Sequence, residues 1–113
     1  MKKSLIEFAD FLKLDVRAGE IKTAIKVEVS NKLLELTLDL GEEYGVVTIL
    51  SGIAKHYTPE SLIGKKVPVV ANLMPKQMAG KISNGFILMI DLPDHTPILI
   101  ELPPSTPNGS ILS

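Results

Sequence analysis

An all-β fold is predicted by three features of the 113-residue sequence. Apolar and polar residues alternate along residues 21–29 and 34–40, and this period of two is typical of half-buried strands. Eight glycines and eight prolines divide the chain into short segments, as the turns of a β-protein require. Helix signals are confined to two short stretches. Because the length fits one core, we expect residues 1–113 to form a single domain.

The N-terminal segment predicts a short helical lead-in. Ser4 is a suitable N-cap, and the apolar residues as far as Leu12 are spaced to form one stripe along a helix. The first strand is then predicted from Ile21 onward. Its buried side is predicted to carry Ile21, Ile25, Val27 and Val29.

A second and a third strand follow after clear turn signals. Residues 30–32 (Ser-Asn-Lys) supply turn chemistry, and four leucines, at 34, 36, 38 and 40, then alternate with polar residues. The glycines at 41 and 45 turn the chain into a third strand, residues 46–50. These strands are predicted to be antiparallel neighbours.

A second helix signal lies between the third and fourth strands. Thr58 is a suitable N-cap, Pro59 suits the first helical position, and Gly64 suits the C-terminal cap, so one or two turns are predicted. A fourth strand is predicted at residues 67–73, with Pro68 at its start, at an edge or at a bulge. Residues 86–90 and 97–102 are predicted to pair through the turn at 92–95.

The order of these elements predicts a five-stranded Greek-key barrel of the OB-fold type. In that fold, a helix between the third and fourth strands commonly closes one end of the barrel, which accounts for a helix in a β-chain. A β-sandwich with a helical insert is the alternative that strand order leaves open.

Several functional classes are excluded or disfavoured by composition. The chain has no cysteine, so it has no disulfide, thiol chemistry or cysteine-ligated zinc. His56 and His95 stand nearly forty positions apart without a metal-binding pattern, and no nucleophile elbow or phosphate-cradling glycine loop is present. We therefore expect no enzyme activity, no metal and no cofactor. Without an apolar run of about 20 residues or a signal peptide, a cytoplasmic protein without membrane contact is expected.

Polar donors are most concentrated in residues 74–86, MPKQMAGKISNGF, which are predicted to form a loop. Lysines there suit phosphate contact, and the amide and hydroxyl groups suit the sugar and unpaired base edges of RNA. These donors are Lys76, Gln77, Lys81, Ser83 and Asn84. The alternative is a solvated connection in which Gly80 and Gly85 only serve turns. The net charge of −1 shows no basic footprint of the kind that a polyanion-binding domain usually carries, so composition alone favours the solvated connection.

Five segments resemble the tRNA-binding domain family in order and without large gaps, over about residues 8–111. They are DFLKLDVRAGEI (10–21), ILSGIAKHY (49–57), NLMP (72–75), SNGFIL (83–88) and PNGSI (107–111). That family includes the C-terminal domain of bacterial methionyl-tRNA synthetases, free-standing tRNA-binding proteins, endothelial-monocyte-activating polypeptide II and the CsaA-type chaperones. The resemblance implies an OB-fold barrel that pairs as a homodimer. Phe8, Phe11 and Leu12 suit the dimer interface, and packing on their own barrel is the alternative.

The resemblance implies that the chain binds tRNA and that it acts in trans to a methionyl-tRNA synthetase. The predicted RNA-binding residues are Lys76, Lys81, Ser83 and Asn84, with Lys55 and Lys66 nearby. Three positions that are often basic in the family carry Val47, Gln77 and Ala79 instead. The alternative function is therefore that of a CsaA-type chaperone, which binds unfolded polypeptide in grooves lined by methionines. The candidate methionines are Met74, Met78 and Met89.

Overall fold

A computed structural model describes the whole chain, Met1–Ser113, and shows a mostly β-structure with two single-turn helices. The helices are α1 (Phe8–Phe11) and α2 (Pro59–Leu62). The strands are β1 (Val16–Lys26), β2 (Leu34–Asp39), β3 (Val46–Ser51), β4 (Lys66–Val70), β5 (Lys76–Met78), β6 (Lys81–Ser83), β7 (Phe86–Ile87), β8 (Met89–Asp91), β9 (Pro97–Leu99) and β10 (Ile111–Leu112). The predicted all-β class is confirmed.

Five antiparallel strands form the barrel, in the spatial order β3-β2-β1-β4-β7, and β10 adds to β1. Hydrogen bonds connect the two ends of this curled sheet. The Asn84 amide donates to the Thr48 carbonyl at 2.8 Å, and the Leu50 amide donates to the Ser83 hydroxyl oxygen at 2.9 Å. Because α2 lies between the third and fourth barrel strands, the predicted OB-fold is confirmed.

The leucine alternation of β2 is confirmed, since all four leucines of residues 34–40 are fully buried. The predicted buried side of the first strand is confirmed at Ile21 and Val27, which are buried, but wrong at Ile25 and Val29. A β-bulge lies between Ile21, which is opposite Leu38, and Thr23, which is opposite Thr37. The extra residue reverses the faces in the rest of β1, so Ile25 is 57% exposed. Val27 and Val29 lie beyond the end of the strand, where Val27 is buried and Val29 is exposed.

The predicted helix between β3 and β4 is confirmed as a single turn. Thr58 is at its N-cap, Pro59 is its first residue, and Gly64 follows it with a φ of +84°. Leu62 is fully buried and belongs to the same core cluster as Ile21 and Val67. The helix therefore contributes an apolar residue that fills the barrel core.

The N-terminal helix is shorter than the predicted Ser4–Leu12. It begins at Phe8, because Glu7 rather than Ser4 is at the N-cap, where its amide donates to the Asp10 carboxylate at 3.2 Å. No residue of α1 is buried. Helices in proteins are stabilised mainly by packing of one face, and α1 lacks a buried face that would stabilise further turns.

Residues 74–86, predicted as a loop, contain the two-stranded β5–β6 hairpin. Ala79 and Gly80 form its turn with φ values of +51° and +76°, the left-handed pair that a tight two-residue hairpin needs. The fourth strand ends at Val70 rather than at residue 73. The β5–β6 hairpin is thus an insertion between β4 and β7.

The pairing of residues 86–90 with 97–102 is confirmed only at the end next to the turn, where β8 and β9 align Met89 with Leu99 and Ile90 with Ile98. Leu88 separates β7 from β8, and its amide donates to the Pro68 carbonyl at 3.0 Å. Proline has no N–H to return this bond, so β7 pairs with β4 only at the two following positions, Val69 and Val70.

A group of polar contacts, here called the terminal clasp, holds the C-terminal segment against β1. The Arg17 guanidinium lies 2.6 Å from the Asp15 carboxylate and 3.0 Å from that of Glu43, and it donates to the Gly109 carbonyl at 3.2 Å. The Tyr44 ring stacks 5.3 Å from the guanidinium, and its hydroxyl donates to Asp15. Hydrogen bonds from Arg17 and then Tyr44 lower the pKa of Asp15.

The clasp continues through Asn108, whose side-chain amide donates to Glu20 at 3.0 Å and to Asp39 at 3.3 Å. The bond from Asn108 is the main reason that the pKa of Glu20 is lowered. The Gly109 amide donates to the Ala18 carbonyl at 2.8 Å. Sequence reasoning missed β10, which extends the sheet from here.

We predict that Gly109→Ala destabilises the fold far more than Gly45→Ala. Both glycines have positive φ, at +86° and +70°, but an added Cβ at Gly109 meets the Leu40 carbonyl oxygen at 2.6 Å, whereas Gly45 has nothing within 4 Å. Gly45→Ala should cost about 1 kcal/mol in the free energy of unfolding. Gly109→Ala should cost a further ~1–3 kcal/mol because the backbone must shift. Urea unfolding measures both, and equal losses would show that the clasp does not constrain the C-terminal segment.

Candidate nucleic-acid interface

One side of the barrel combines the elements that OB-folds use for oligonucleotides, namely the second and third strands and two flanking loops. The first loop, residues 27–33, joins β1 to β2. The second, residues 71–85, joins β4 to β7 and contains the β5–β6 hairpin. We call β2, β3 and these two loops the binding face.

A cavity of about 610 Å³ opens between the end of β3 and the β5–β6 hairpin. Its lining is mostly apolar, and Lys76 is the one charged residue that lines it. The lining includes Leu50, Gly52, Met74, Met78 and Phe86. This volume falls within the ~300–1,000 Å³ typical of small-ligand sites.

Two of the predicted lysines lie on the hairpin but differ in their partners. Lys76 is exposed, and its ammonium forms neither an ion pair nor a hydrogen bond within the protein. Lys81 lies 3.1 Å from the Glu35 carboxylate on β2. Lys76 can therefore meet an external anion directly, whereas Lys81 must first leave Glu35.

The next two predicted residues, Ser83 and Asn84, are adjacent but play different parts. Ser83 is only 4% exposed, and its hydroxyl oxygen already accepts the Leu50 amide. The backbone amide of Asn84 bonds to Thr48, but its half-buried side-chain amide has no hydrogen-bond partner in the protein. Ser83 thus holds the hairpin to β3, and Asn84 keeps free donors and acceptors.

The structure separates Lys55 from Lys66. Lys55 is exposed in the turn after β3, where the neighbouring Ala54 amide donates to the Lys32 carbonyl of the 27–33 loop. Lys66 lies at the opposite end of β4 from the hairpin, and its ammonium donates to the Thr106 carbonyl. Lys55 joins the binding face, and Lys66 does not.

Two further lysines, one beside this face and one on it, were not predicted from the sequence. Lys26 ends β1 and Lys32 lies in the 27–33 loop, and both are exposed. A shallower depression of about 430 Å³ between this loop and the hairpin turn is lined by Lys26 and Lys81, but also by Glu28 and Glu35. Both lysines lie in the stretch IKVEVSNKLL, whose alternation and turn residues indicate only a strand and a turn.

Three positions that are often basic in the family carry uncharged residues in this chain. Two of them, Gln77 and Ala79, lie on the hairpin, and Ala79 is in its turn. Val47 is on β3, where it is partly buried and packs against the core. Of the three methionines, Met74 and Met78 line the cavity, whereas Met89 packs against the core from β8.

The predicted dimer residues form a separate apolar surface. Phe8 is 70% exposed, Phe11 45% and Leu12 64%, and the two phenyl rings lie 5.9 Å apart. None of these side chains belongs to the core cluster of their own barrel. No cluster of three metal-binding side chains occurs in the chain, and neither helix has the length or apolarity to cross a bilayer.

The sequence matches the family model described as "Putative tRNA binding domain" over residues 16–111. It is 45% identical over 113 residues to a methionine–tRNA ligase of Oceanobacillus iheyensis, a match that covers 99% of this chain and 16% of the relative. A methionine–tRNA ligase of Flavobacterium johnsoniae is 42% identical over 112 residues, with the same coverage of each chain. The chain thus spans about one sixth of the length of these relatives.

Solved structures show the same fold. A protein from Pyrococcus horikoshii related to methionyl-tRNA synthetase superposes with a TM-score of 0.92 and 34% identity, covering 98% of this chain and 100% of that one. The chaperone CsaA from Bacillus anthracis superposes with a TM-score of 0.87 and 32% identity, covering 97% and 100%. Because the family model covers nearly the whole β-structure from β1 to β10, the chain belongs to the tRNA-binding domain family.

Proposed function

We propose that this chain is a non-catalytic module that binds tRNA on the binding face, chiefly through the RNA backbone and shape. The observation that carries the proposal is the β5–β6 hairpin, which places the unpaired Lys76 beside an apolar cavity on the face that OB-folds use for oligonucleotides.

Phosphate contacts supply most of the proposed affinity. The exposed lysines Lys26, Lys32, Lys55 and Lys76 provide positive charge along the two loops and the end of β3. Such contacts release counterions, so log affinity should fall with log salt by about 0.7–0.9 per neutralised phosphate. Because the net charge of the chain is −1, we expect modest affinity that weakens strongly with salt.

Base contacts are fewer, which limits sequence preference. The Asn84 side-chain amide is the free polar group of the predicted site that suits hydrogen bonding to a base edge or a sugar hydroxyl. A single such group cannot specify a sequence. Recognition of one class of RNA must then come from the shape of the two loops and the hairpin.

We further propose that the module serves a methionyl-tRNA synthetase in trans, in the cytosol. The curated relatives named methionine–tRNA ligase contain a similar segment as about one sixth of their length. A separate module with the same fold would add tRNA affinity when it associates with the enzyme, because two associated sites on one tRNA make the second contact effectively intramolecular.

A homodimer is proposed through α1 and the residues that flank it. Leu5, Ile6, Phe8, Phe11 and Leu12 are all exposed, which is an unusual concentration of apolar side chains on a segment whose helix has no buried residue. Burial against the same segment of a second chain would give a symmetric contact. Two binding faces would then act on one RNA or on two.

Binding of unfolded polypeptide is the second candidate function. It is favoured by Met74 and Met78 in the cavity, since methionine side chains adapt to varied apolar partners. The likeness to the CsaA chaperone of Bacillus anthracis agrees with this alternative. The two functions differ in their salt response, because apolar contacts do not weaken as salt rises.

Reversing the charges of the hairpin should abolish retention of tRNA without unfolding the protein. We expect Lys76→Glu with Lys81→Glu to lower tRNA affinity at least about tenfold, because charge-assisted contacts are lost and repulsion is added. Fluorescence anisotropy of labelled bulk tRNA, at low and at physiological salt, measures the loss. The parallel ligand is an unfolded polypeptide.

The matched control is Lys13→Glu with Lys65→Glu, which changes the net charge equally at two lysines paired with Asp10 and Glu101 outside the binding face. If both doubles weaken tRNA binding alike, only net charge matters and the hairpin is not the site. Polypeptide binding that resists salt, with no tRNA binding by the unmodified chain, would favour the chaperone function.

Glu35→Gln should strengthen tRNA binding. Glu35 pairs with Lys81 at 3.1 Å, so its neutralisation frees that ammonium for a phosphate. We expect a gain of several-fold, since exposed ion pairs hold their partners by only about 0.2–1 kcal/mol. The dependence of log affinity on log salt should steepen by ~0.7–0.9. Glu28→Gln removes the same charge from the same face, but Glu28 forms no ion pair with a lysine. An equal gain in that variant would contradict the role of the Glu35–Lys81 pair.

Phe8→Asp with Phe11→Asp should convert a dimer into monomers, because it places charges inside the proposed apolar contact. Sedimentation velocity measures the mass, and circular dichroism checks that the barrel is retained. Ile63→Asp is the control, since Ile63 is also exposed but follows α2. A dimer that persists in the double variant places the contact elsewhere.

A further inference from the structure

The cavity on the binding face has an aromatic ring at its edge. Phe86 lines the cavity and is 56% exposed, although it lies in β7 opposite Val70 of β4. The alternation of the strand turns Phe86 outward, while its neighbour Ile87 is buried in the core. An exposed phenyl ring is therefore held on a strand of the barrel rather than on a mobile loop.

Gly85 fixes the position from which Phe86 projects. It has a φ of +126°, and an added Cβ would lie 3.1 Å from the Val70 carbonyl oxygen and 3.2 Å from Ile49 Cδ1. Only glycine suits this conformation and this close approach. The backbone before Phe86 is thus set by contacts with β4 and β3, which gives the ring a rigid support.

The remaining lining combines adaptable apolar groups with one positive charge. Met74 and Met78 approach from the β4–β7 connection, and no carboxylate lines the cavity. Lys76, from the same connection, has no partner within the protein. The matching ligand has a flat apolar surface next to an anionic group.

We propose that this cavity takes one unpaired nucleobase of a bound RNA, stacked on Phe86, while Lys76 contacts the adjoining phosphate. An unstacked nucleotide has that combination of a π-face and a phosphate, and stacking on aromatic side chains is the usual means of holding single-stranded bases. The inference rests on the proposed function and assigns its base-contacting residue. An apolar peptide side chain would fill the cavity but would leave Lys76 without a partner.

The absence of tryptophan from the chain makes the proposal directly measurable. Phe86→Trp introduces a single indole at the cavity, whose fluorescence a stacked base quenches. The probes are a single-stranded RNA of about six nucleotides, within the usual site size of an OB-fold, the same oligonucleotide with abasic sugars, and bulk tRNA. We expect saturable quenching by the intact oligonucleotide and by tRNA, and none by the abasic one.

Ile98→Trp is the control, because Ile98 is an exposed apolar residue of β9 that does not line the cavity. Its emission should not change on RNA binding. Phe86→Leu, followed by anisotropy of labelled oligonucleotide, tests the ring without adding bulk. We expect about a tenfold loss of affinity, and Phe86→Tyr should restore it.

The outcomes separate this proposal from the function on which it rests. If tRNA binds by anisotropy but the Phe86→Trp emission stays constant and Phe86→Leu binds normally, base insertion is wrong and the tRNA module stands. If neither RNA binds the unmodified chain, both proposals fail. Quenching by an unfolded polypeptide and not by RNA overturns the assignment to a base.

Discussion

Two hydrogen bonds between β3 and the end of the β5–β6 hairpin hold the hairpin against the barrel and so shape the binding face. The Leu50 amide bonds to the Ser83 hydroxyl, and the Thr48 carbonyl accepts the Asn84 amide. They connect β3, at one edge of the curled sheet, to the residues that lead into β7 at the other edge, and they fix the position of the hairpin relative to β3. Closure of the barrel therefore also forms the wall of the cavity beside Lys76.

The segments that resemble the family mainly make contacts that stabilise the fold. Arg17 and Gly109, from the first and last of these segments, meet in the terminal clasp. Tyr57 ties the turn after β3 to β9, since its hydroxyl donates to the Pro97 carbonyl and accepts the Leu99 amide, both at 3.0 Å. Asn72 holds the N-terminal segment through the Lys13 carbonyl and the Asp15 amide. The resemblance in these segments is therefore stronger evidence for the barrel fold than for contact with RNA.

The features predicted correctly from the sequence are those that depend on local pattern. The alternating leucines of β2 are recognisable within a few neighbouring residues. The same is true of the N-cap and proline that begin the helical turn before Leu62. The bulge after Ile21 was not predictable, because the extra residue is defined only by the register with β2. For the same reason β10 was missed, since a two-residue strand exists only through its pairing with β1.

The candidate site was predicted in part, as far as its location in residues 74–86. Ser83 is buried because its hydroxyl accepts the amide of Leu50, 33 positions earlier in the chain. The identity of a single polar residue gives no sign of such a distant contact. Likewise, the pairing of Lys81 with Glu35 depends on the hairpin reaching β2. Long-range pairing therefore decided which polar residues remain free, and it left Lys76 and Asn84 as the groups best placed for an external partner.

Binding of tRNA to the face formed by β2, β3 and the two loops is tested most directly by an NMR titration. The 12.3 kDa chain, labelled with ¹⁵N, would be titrated with bulk tRNA at low salt while its backbone amide shifts are followed. The largest shift changes should fall in residues 26–33 and 74–86, with little change in β8 and β9. Absent changes, or changes confined to α1 or to β8 and β9, would contradict tRNA binding on this face.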